Sequence, residues 1–168
     1  MVNLKMGKKH DLAKNPNTDS KTLHKLAYES GIFGIKIRKA VAAHKNTKSG
    51  TLDYLARNAT GTQITIATNR NTKPRTLDFL AKKAIRKEFV VVPLALSVIK
   101  NQNTSDETLQ WLSDLITPQK ESGMNILVSL VDPFDNSGTR QMVNENKRDR
   151  GNIANRAAIV LMNRNKLK

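Results

Sequence analysis

A thirteen-residue phrase occurs four times in this chain with no gap inside any copy. It reads N-P-N-T-D-S-K-T-L-H-K-L-A at 15–27 and H-K-N-T-K-S-G-T-L-D-Y-L-A at 44–56. It returns as N-R-N-T-K-P-R-T-L-D-F-L-A at 69–81 and N-Q-N-T-S-D-E-T-L-Q-W-L-S at 101–113. All four fit N-T-x-x-x-T-L-x-x-L-[AS], and successive copies lie 29, 25 and 32 residues apart. A period of this length marks stacked units, each too small to bury its apolar face alone and so forced to bury it on its neighbours.

The phrase reads as the start of a helix. Thr18, Thr47, Thr72 and Thr104 each precede an apolar helical pattern, which predicts an N-cap: a hydroxyl accepting from an otherwise unpaired first-turn N–H. Thr104 and Glu107 have the spacing of a capping box. Pro74 falls in the first turn, where a missing N–H costs little. Leu23, Leu26 and Ala27 fall at i, i+3 and i+4 and form one inward stripe. Leu52, Leu55 and Ala56, then Leu77, Leu80 and Ala81, then Leu109, Leu112 and Ser113 repeat it. Helices of about ten residues are marginal alone, so stacking must hold them. Asn17, Asn46, Asn71 and Asn103 are expected to tie the turns by Asx-type bonds.

Each phrase follows a second apolar element, marked by Leu12–Ala13, Val41–Ala42, Ile66–Ala67 and Val98–Ile99. Over 35–43 it reads as a helix with Ile37, Ala40 and Val41 inward, after a turn marked by Gly31 and Gly34. At 63–68, Q-I-T-I-A-T, the alternation and β-branching favour a strand. Repeat phase favours a short helix, and phase is the reading adopted. The fourth unit has an insertion around 85–92, and Pro93 begins its first helix, with Ala95, Val98 and Ile99 inward. Beyond residue 115 the pattern decays. Residues 125–131 and the turn-rich 132–139 read as a degenerate fifth unit. Ile153, Ala154, Ala157, Ala158, Leu161 and Met162 mark a last amphipathic helix. Residues 1–168 therefore read as one domain, with four units over 10–115 and a degenerate unit plus a helical C-terminal cap over 116–168. Residues 1–9 read as a solvated basic tail.

Four copies of [NH]-x-N-T-x-x-x-T-L-x-x-L-[AS], each after a V-A or similar pair, resemble the leucine-rich repeat variant family of bacterial proteins. Asn15-Pro16-Asn17-Thr18 is the nearest match to its N-P-N-T signature, and Ile37-Arg38-Lys39-Ala40-Val41-Ala42 looks like its V-R-x-A-V-A element. Later copies depart from it, with Lys45, Arg70 and Gln102 in place of Pro16. The resemblance covers roughly 10–115. It implies an all-α fold: a right-handed α-solenoid of short helix pairs, HEAT-like, with no sheet. It implies no single activity, so function rests on the site.

The charge supplies the functional reading. The chain carries 29 Lys and Arg against 14 Asp and Glu, a net +15. Residues 101–135 are the exception, with one basic and six acidic residues. So basic a chain attracts polyanions, and nucleic acid is the commonest. Basic residues recur at related places: Lys14, Lys45 and Arg70 by the Asn turn, Arg38 and Lys39 on the first element, and Arg57, Lys82, Lys83, Arg86 and Lys87 near or beyond the second-helix end. Repetition would turn one cation per unit into a row that follows a phosphate backbone, DNA or RNA, with little sequence preference. An acidic protein partner is the alternative. Aromatics at 54, 79 and 111 are expected to fill grooves between helices.

Other classes find little support. There is no cysteine, which excludes disulfides and thiolate metal sites and fits a cytoplasmic setting. His10, His24 and His44 lack metal-ligand spacing, and no nucleophile-elbow, Walker or dinucleotide motif is present, so neither enzyme activity nor a cofactor or metal is expected. Asp132 and Asp135 sit in a turn, where Asp is a structural choice. No signal peptide or membrane span is read from the sequence.

Overall fold

The computed structural model describes residues 6–86, 89–116 and 138–166. Its described elements are helical apart from one isolated antiparallel bridge, Ile85 to Val90. In order they are α1 (Met6–Lys14), α2 (Ser20–Leu26), α3 (Gly31–Ala43), α4 (Ser49–Asn58), α5 (Gln63–Thr68), α6 (Pro74–Ala84), α7 (Val92–Lys100) and α8 (Asp106–Ser113). A 3₁₀ turn (Asp114–Ile116) and α9 (Gly138–Asn165) follow. Each copy of the phrase joins a first helix to a second. First helices pack in succession, α1 on α3, α3 on α5 and α5 on α7, and second helices do likewise, α4 on α6 and α6 on α8. Residues 63–68 are an α-helix rather than a strand, with Ile66 and Ala67 buried.

The Leu stripes meet between these two rows. Leu23, Leu52, Leu55, Leu77, Leu80, Leu109 and Leu112 are fully buried, as are Ile37, Val41, Ile66 and Val98. Burying one such side chain is worth about 1.5–3 kcal/mol, so adding a unit outweighs any single hydrogen bond in it.

Thr18, Thr47, Thr72 and Thr104 are not the N-caps. The caps are Asp19, Lys48, Lys73 and Ser105, one residue later. Each Thr is buried, and its hydroxyl donates backwards to the carbonyl six residues earlier: Leu12, Val41, Ile66 and Val98, at 2.5–2.6 Å. Those carbonyls lie in the last turn of the first helix, and each also accepts the backbone N–H three residues on, from Asn15, His44, Asn69 or Asn101, so the hydroxyl adds a second bond there. The expected Thr104–Glu107 capping box is replaced by Ser105, whose hydroxyl accepts from the Thr108 N–H.

The asparagines divide two tasks. The first Asn closes its own turn: Asn15, Asn69 and Asn101 each accept, through Oδ1, the N–H two residues on. The second Asn reaches across to the preceding unit. The Asn46 amide donates to the Pro16 and Thr18 carbonyls, Asn71 to those of Lys45 and Thr47, and Asn103 to those of Arg70 and Thr72. Asn69 and Asn101, both buried, reach back as well, to Ala42 and His44 and to Ala67 and Asn69. His44 replaces the first Asn of its copy with the same logic. Its Nε2–H donates to the Asn15 carbonyl at 2.8 Å while Nδ1 accepts the Asn46 N–H, which fixes the neutral Nε2–H tautomer. A second ladder joins the second helices. His24 Nδ1 lies 3.0 Å from the Thr51 hydroxyl, and Thr76 and Thr108 donate to Asp53 and Asp78.

Both ladders end on substitutes. Thr22, in the first of the four units, donates to its own cap Asp19. At the other end Arg164 of α9 donates to the carbonyls of Asn101, Gln102 and Thr104. The last two are the positions that Asn103 contacts one unit earlier, at Arg70 and Thr72. One guanidinium thus does the work of the next unit's asparagine. Helix α9 packs on α7 and α8, with Ile153, Ala154 and Ala157 buried and Met162 exposed rather than inward. The expected fifth unit at 125–139 lies almost wholly outside the described residues, and so do Asp132 and Asp135. Helix α1 begins at Met6, inside the stretch read as a tail. Gly34 is within α3 rather than in a turn. A Cβ there would stand 2.5 Å from the Glu29 carbonyl oxygen in the connection between α2 and α3, so this position admits only Gly.

Asn101→Ala removes two donated bonds and one accepted bond and leaves the Ala67 carbonyl buried without its amide. Urea unfolding should show a loss of about 2–4 kcal/mol. Asn15→Ala removes only an exposed bond within its own turn and should cost under about 1 kcal/mol. Equal losses would contradict the ladder.

Candidate nucleic-acid interface

Each second helix runs from the Asn turn at one edge of the molecule to the opposite edge. The eleven residues of α6 put those edges roughly 16 Å apart. The basic residues picked out in the sequence fall on both. Lys14, Lys45 and Arg70 lie on the turn edge, all exposed. Arg38, Lys39, Arg57, Lys82, Lys83 and Arg86 lie towards the far edge, and Lys87 is outside the described residues. A single row through all of them is therefore not what the fold builds.

Several far-edge cations are committed elsewhere. Arg38 donates to the Glu29 carbonyl in the connection between α2 and α3, and its Nε is buried. Arg57 pairs with Asp53 at 3.1 Å and lies over the Phe79 ring at 4.6 Å. Lys82 pairs with Asp78 at 2.9 Å. The Arg57 hydrogen bond holds the Asp53 carboxyl below its ordinary range, helped by Thr76 and by the charge of Arg75 and opposed by burial. The aromatics follow the packing expectation. Tyr54, Phe79 and Trp111 are half-buried, and Tyr28 stacks on Tyr54 with centroids 4.3 Å apart.

Lys39, Lys83 and Arg86 of the far edge make no ion pair among the described residues; the turn edge differs in how its cations are seated. Lys45 and Lys48 of the second turn and Arg70 and Lys73 of the third are all exposed. None makes an ion pair among the described residues. Asn71 bonds the Lys45 carbonyl and Asn103 bonds that of Arg70, so the backbone beneath these cations is held unit to unit. Lys48 and Lys73 are also the N-caps of α4 and α6, and neither helix has a side-chain cap. An ammonium cannot accept from a first-turn N–H, so it adds charge at the positive end of the helix dipole instead of neutralising it. The flanking turns carry the opposite chemistry: Asp19 caps α2, and α8 has Asp106 and Glu107 in its first turn.

Lys48 and Lys73 escape a reading of the sequence that puts the cap on the Thr before each, because they then fall inside the helix. The usable signal is the contrast within one column of the phrase, Asp19, Lys48, Lys73 and Ser105, where two residues can cap and two cannot.

No protein-family model, no curated protein and no solved structure matches this chain. Among the described residues no cluster of three or more His, Asp or Glu could hold a metal ion, and no helix is long and apolar enough to cross a membrane.

Lys73→Ser restores the cap that Ser105 provides one unit later. It should stabilise the fold by about 0.5–2 kcal/mol in urea, at the expense of one exposed cation. No gain would mean the α6 first turn is already satisfied. Asp53 has a lowered folded-state pKa, so its contribution is present above the unfolded carboxylate range and is lost as pH falls through the folded value. Thermal midpoints of wild type should drop as pH is lowered below about 4. Asp53→Asn should show a smaller drop over the same window; an unchanged acid limb would remove Asp53 as a contributor.

Proposed function

We propose that this chain binds nucleic acid through the phosphate backbone, with little sequence preference, and that its turn edge makes the contact. The observation that carries the reading is the group of four exposed cations, Lys45, Lys48, Arg70 and Lys73, on two adjacent turns at the uncapped N-terminal ends of α4 and α6. Lysines that forgo a stabilising cap at two successive units concentrate positive charge where a polyanion gains most from it. Phosphates are contacted by flexible cations and backbone N–H groups without reading bases, which fits the lysine-rich set.

The units are proposed to stack as a right-handed α-solenoid of the leucine-rich repeat variant kind, with α9 closing the far end. The succession of first helices on first helices and second on second supports this, as does the unit-to-unit asparagine ladder. In such an array one face repeats at each step, so neighbouring turns present their cations side by side. The sequence and the fold give no reason to assign catalysis, and the proposal is for a binding protein.

Salt titration with random duplex, single strand and RNA tests it. The affinity should be submicromolar near 50 mM salt, with log K falling linearly in log salt. Reversing all four cations to Glu should weaken binding at least tenfold and reduce the slope by roughly 3–4, about one for each phosphate no longer neutralised. Absence of binding at low salt, or an unchanged slope in the variant, would overturn the reading.

A further inference from the structure

The far edge holds a cavity of about 380 Å³ lined by α5, the end of α6, the start of α7 and, between the last two, Arg86, Phe89 and Val91. Its apolar lining is Ile64, Phe89, Val91 and Leu94, and Lys83 and Arg86 stand at its rim. Ile64 and Phe89 are 45% and 47% exposed, which leaves two large apolar side chains facing solvent beside two cations. Residues 84–86 and 90–91 beside the cavity are tied together by the Ile85–Val90 bridge and by the Val91 N–H on the Ala84 carbonyl, and Arg150 of α9 donates to the Arg86 carbonyl. Gly61 on the other wall has φ of +74°, and the Lys39 side chain passes 3.8 Å from where a Cβ would stand, so a third cation lies beside the same rim.

We infer that this cavity is a docking site for an acidic peptide segment of a partner protein, with one apolar side chain seated against Ile64, Phe89 and Leu94 and flanking carboxylates on Lys83 and Arg86. Charge complementarity selects the sign of the partner. Lys83 and Arg86 make no ion pair among the described residues, and each lies near an aromatic ring, Lys83 Nζ at 5.7 Å from Phe79 and the Arg86 guanidinium at 5.5 Å from Phe89. The aliphatic lining selects the seated group. A nucleobase would bring its polar edge against Ile64, Val91 and Leu94, and burying that edge without partners is costly. The Gln63 amide, the one side-chain amide on the wall, already donates to the Ala59 carbonyl at 2.7 Å. A leucine or phenylalanine has no polar atoms to satisfy. A basic segment would be repelled by Lys39, Lys83 and Arg86 together. The site lies on the edge opposite the four turn cations and does not depend on the nucleic-acid reading.

The test uses two fluorescein-labelled peptides of equal charge on the full chain, Glu-Glu-Leu-Glu-Glu and Glu-Glu-Ser-Glu-Glu, read by anisotropy at fixed salt. General attraction to a basic protein binds both alike. The seated side chain should make the Leu peptide bind about tenfold tighter, because the leucine takes apolar surface out of water and the serine does not. Phe89→Ser and Ile64→Ser change exposed residues, so they should keep the thermal midpoint and abolish that preference. Lys83→Glu with Arg86→Glu should weaken both peptides at least tenfold. Equal affinity for the two peptides overturns the proposal. A preference that survives both Ser substitutions overturns it too. So does a thymidine oligonucleotide that displaces the Leu peptide and loses affinity in Phe89→Ser, which would make the cavity a base pocket. None of these results bears on duplex binding by the turn edge, so the two readings fail separately.

Discussion

The side-chain amide of asparagine is the linking part of this molecule. It offers two donors and one acceptor on a short, stiff arm. In the Asn turn the acceptor closes the local backbone, while donors reach carbonyls of the unit before. Asn69 and Asn101 do both at once from buried positions. The carbonyls they meet include Ala42 and Ala67, at the ends of first helices, where the helix itself leaves them without partners. Leu burial supplies most of the stabilisation, yet it is tolerant of small slips. The amides set the register, because a carbonyl moved by an ångström or two is no longer within bonding distance.

Register has an electrostatic consequence. Lys45, Lys48, Arg70 and Lys73 sit on long flexible arms, but the turns beneath them are fixed to one another through Asn71 and Asn103. Two adjacent helix starts therefore present cations together, whereas the outer turns carry Asp19 on one side and Asp106 and Glu107 on the other. The positive stretch is bounded on one side by Asp19, in the same column of the phrase as Lys48 and Lys73, and on the other by Asp106 and Glu107, just past that column's Ser105. At the far edge Arg57 and Lys82 are paired with Asp53 and Asp78 and Arg38 donates to the Glu29 carbonyl, while Lys39, Lys83 and Arg86 make no ion pair among the described residues.

Much of this is legible in the sequence and some is not. The buried Leu stripes, the paired helices and the helical nature of residues 63–68 follow from periodicity and repeat phase. Phase corrects what local β-branching suggests at 63–68, because Ile66 and Ala67 must occupy the same buried places as Val41 and Ala42. The expected cap falls one residue early, since Thr is a good cap by type and nothing local says that its hydroxyl turns backwards to Ile66 or Val98. That offset hides Lys48 and Lys73. The division of the basic residues between two edges is also out of reach, because it depends on which end of each second helix a residue occupies in space. Arg164 cannot be found from its neighbours in the chain. Its role exists only because α9 returns to the carbonyls of Gln102 and Thr104.

The most direct test of the ladder is NMR of the asparagine side chains. Amide protons of Asn46, Asn69, Asn71, Asn101 and Asn103 bonded to carbonyls of the preceding unit should exchange slowly with solvent and show cross-unit contacts. Asn15 and Asn17, whose side-chain amides donate no cross-unit bond among the described residues, should exchange quickly. Uniformly fast exchange across all of them would contradict the account.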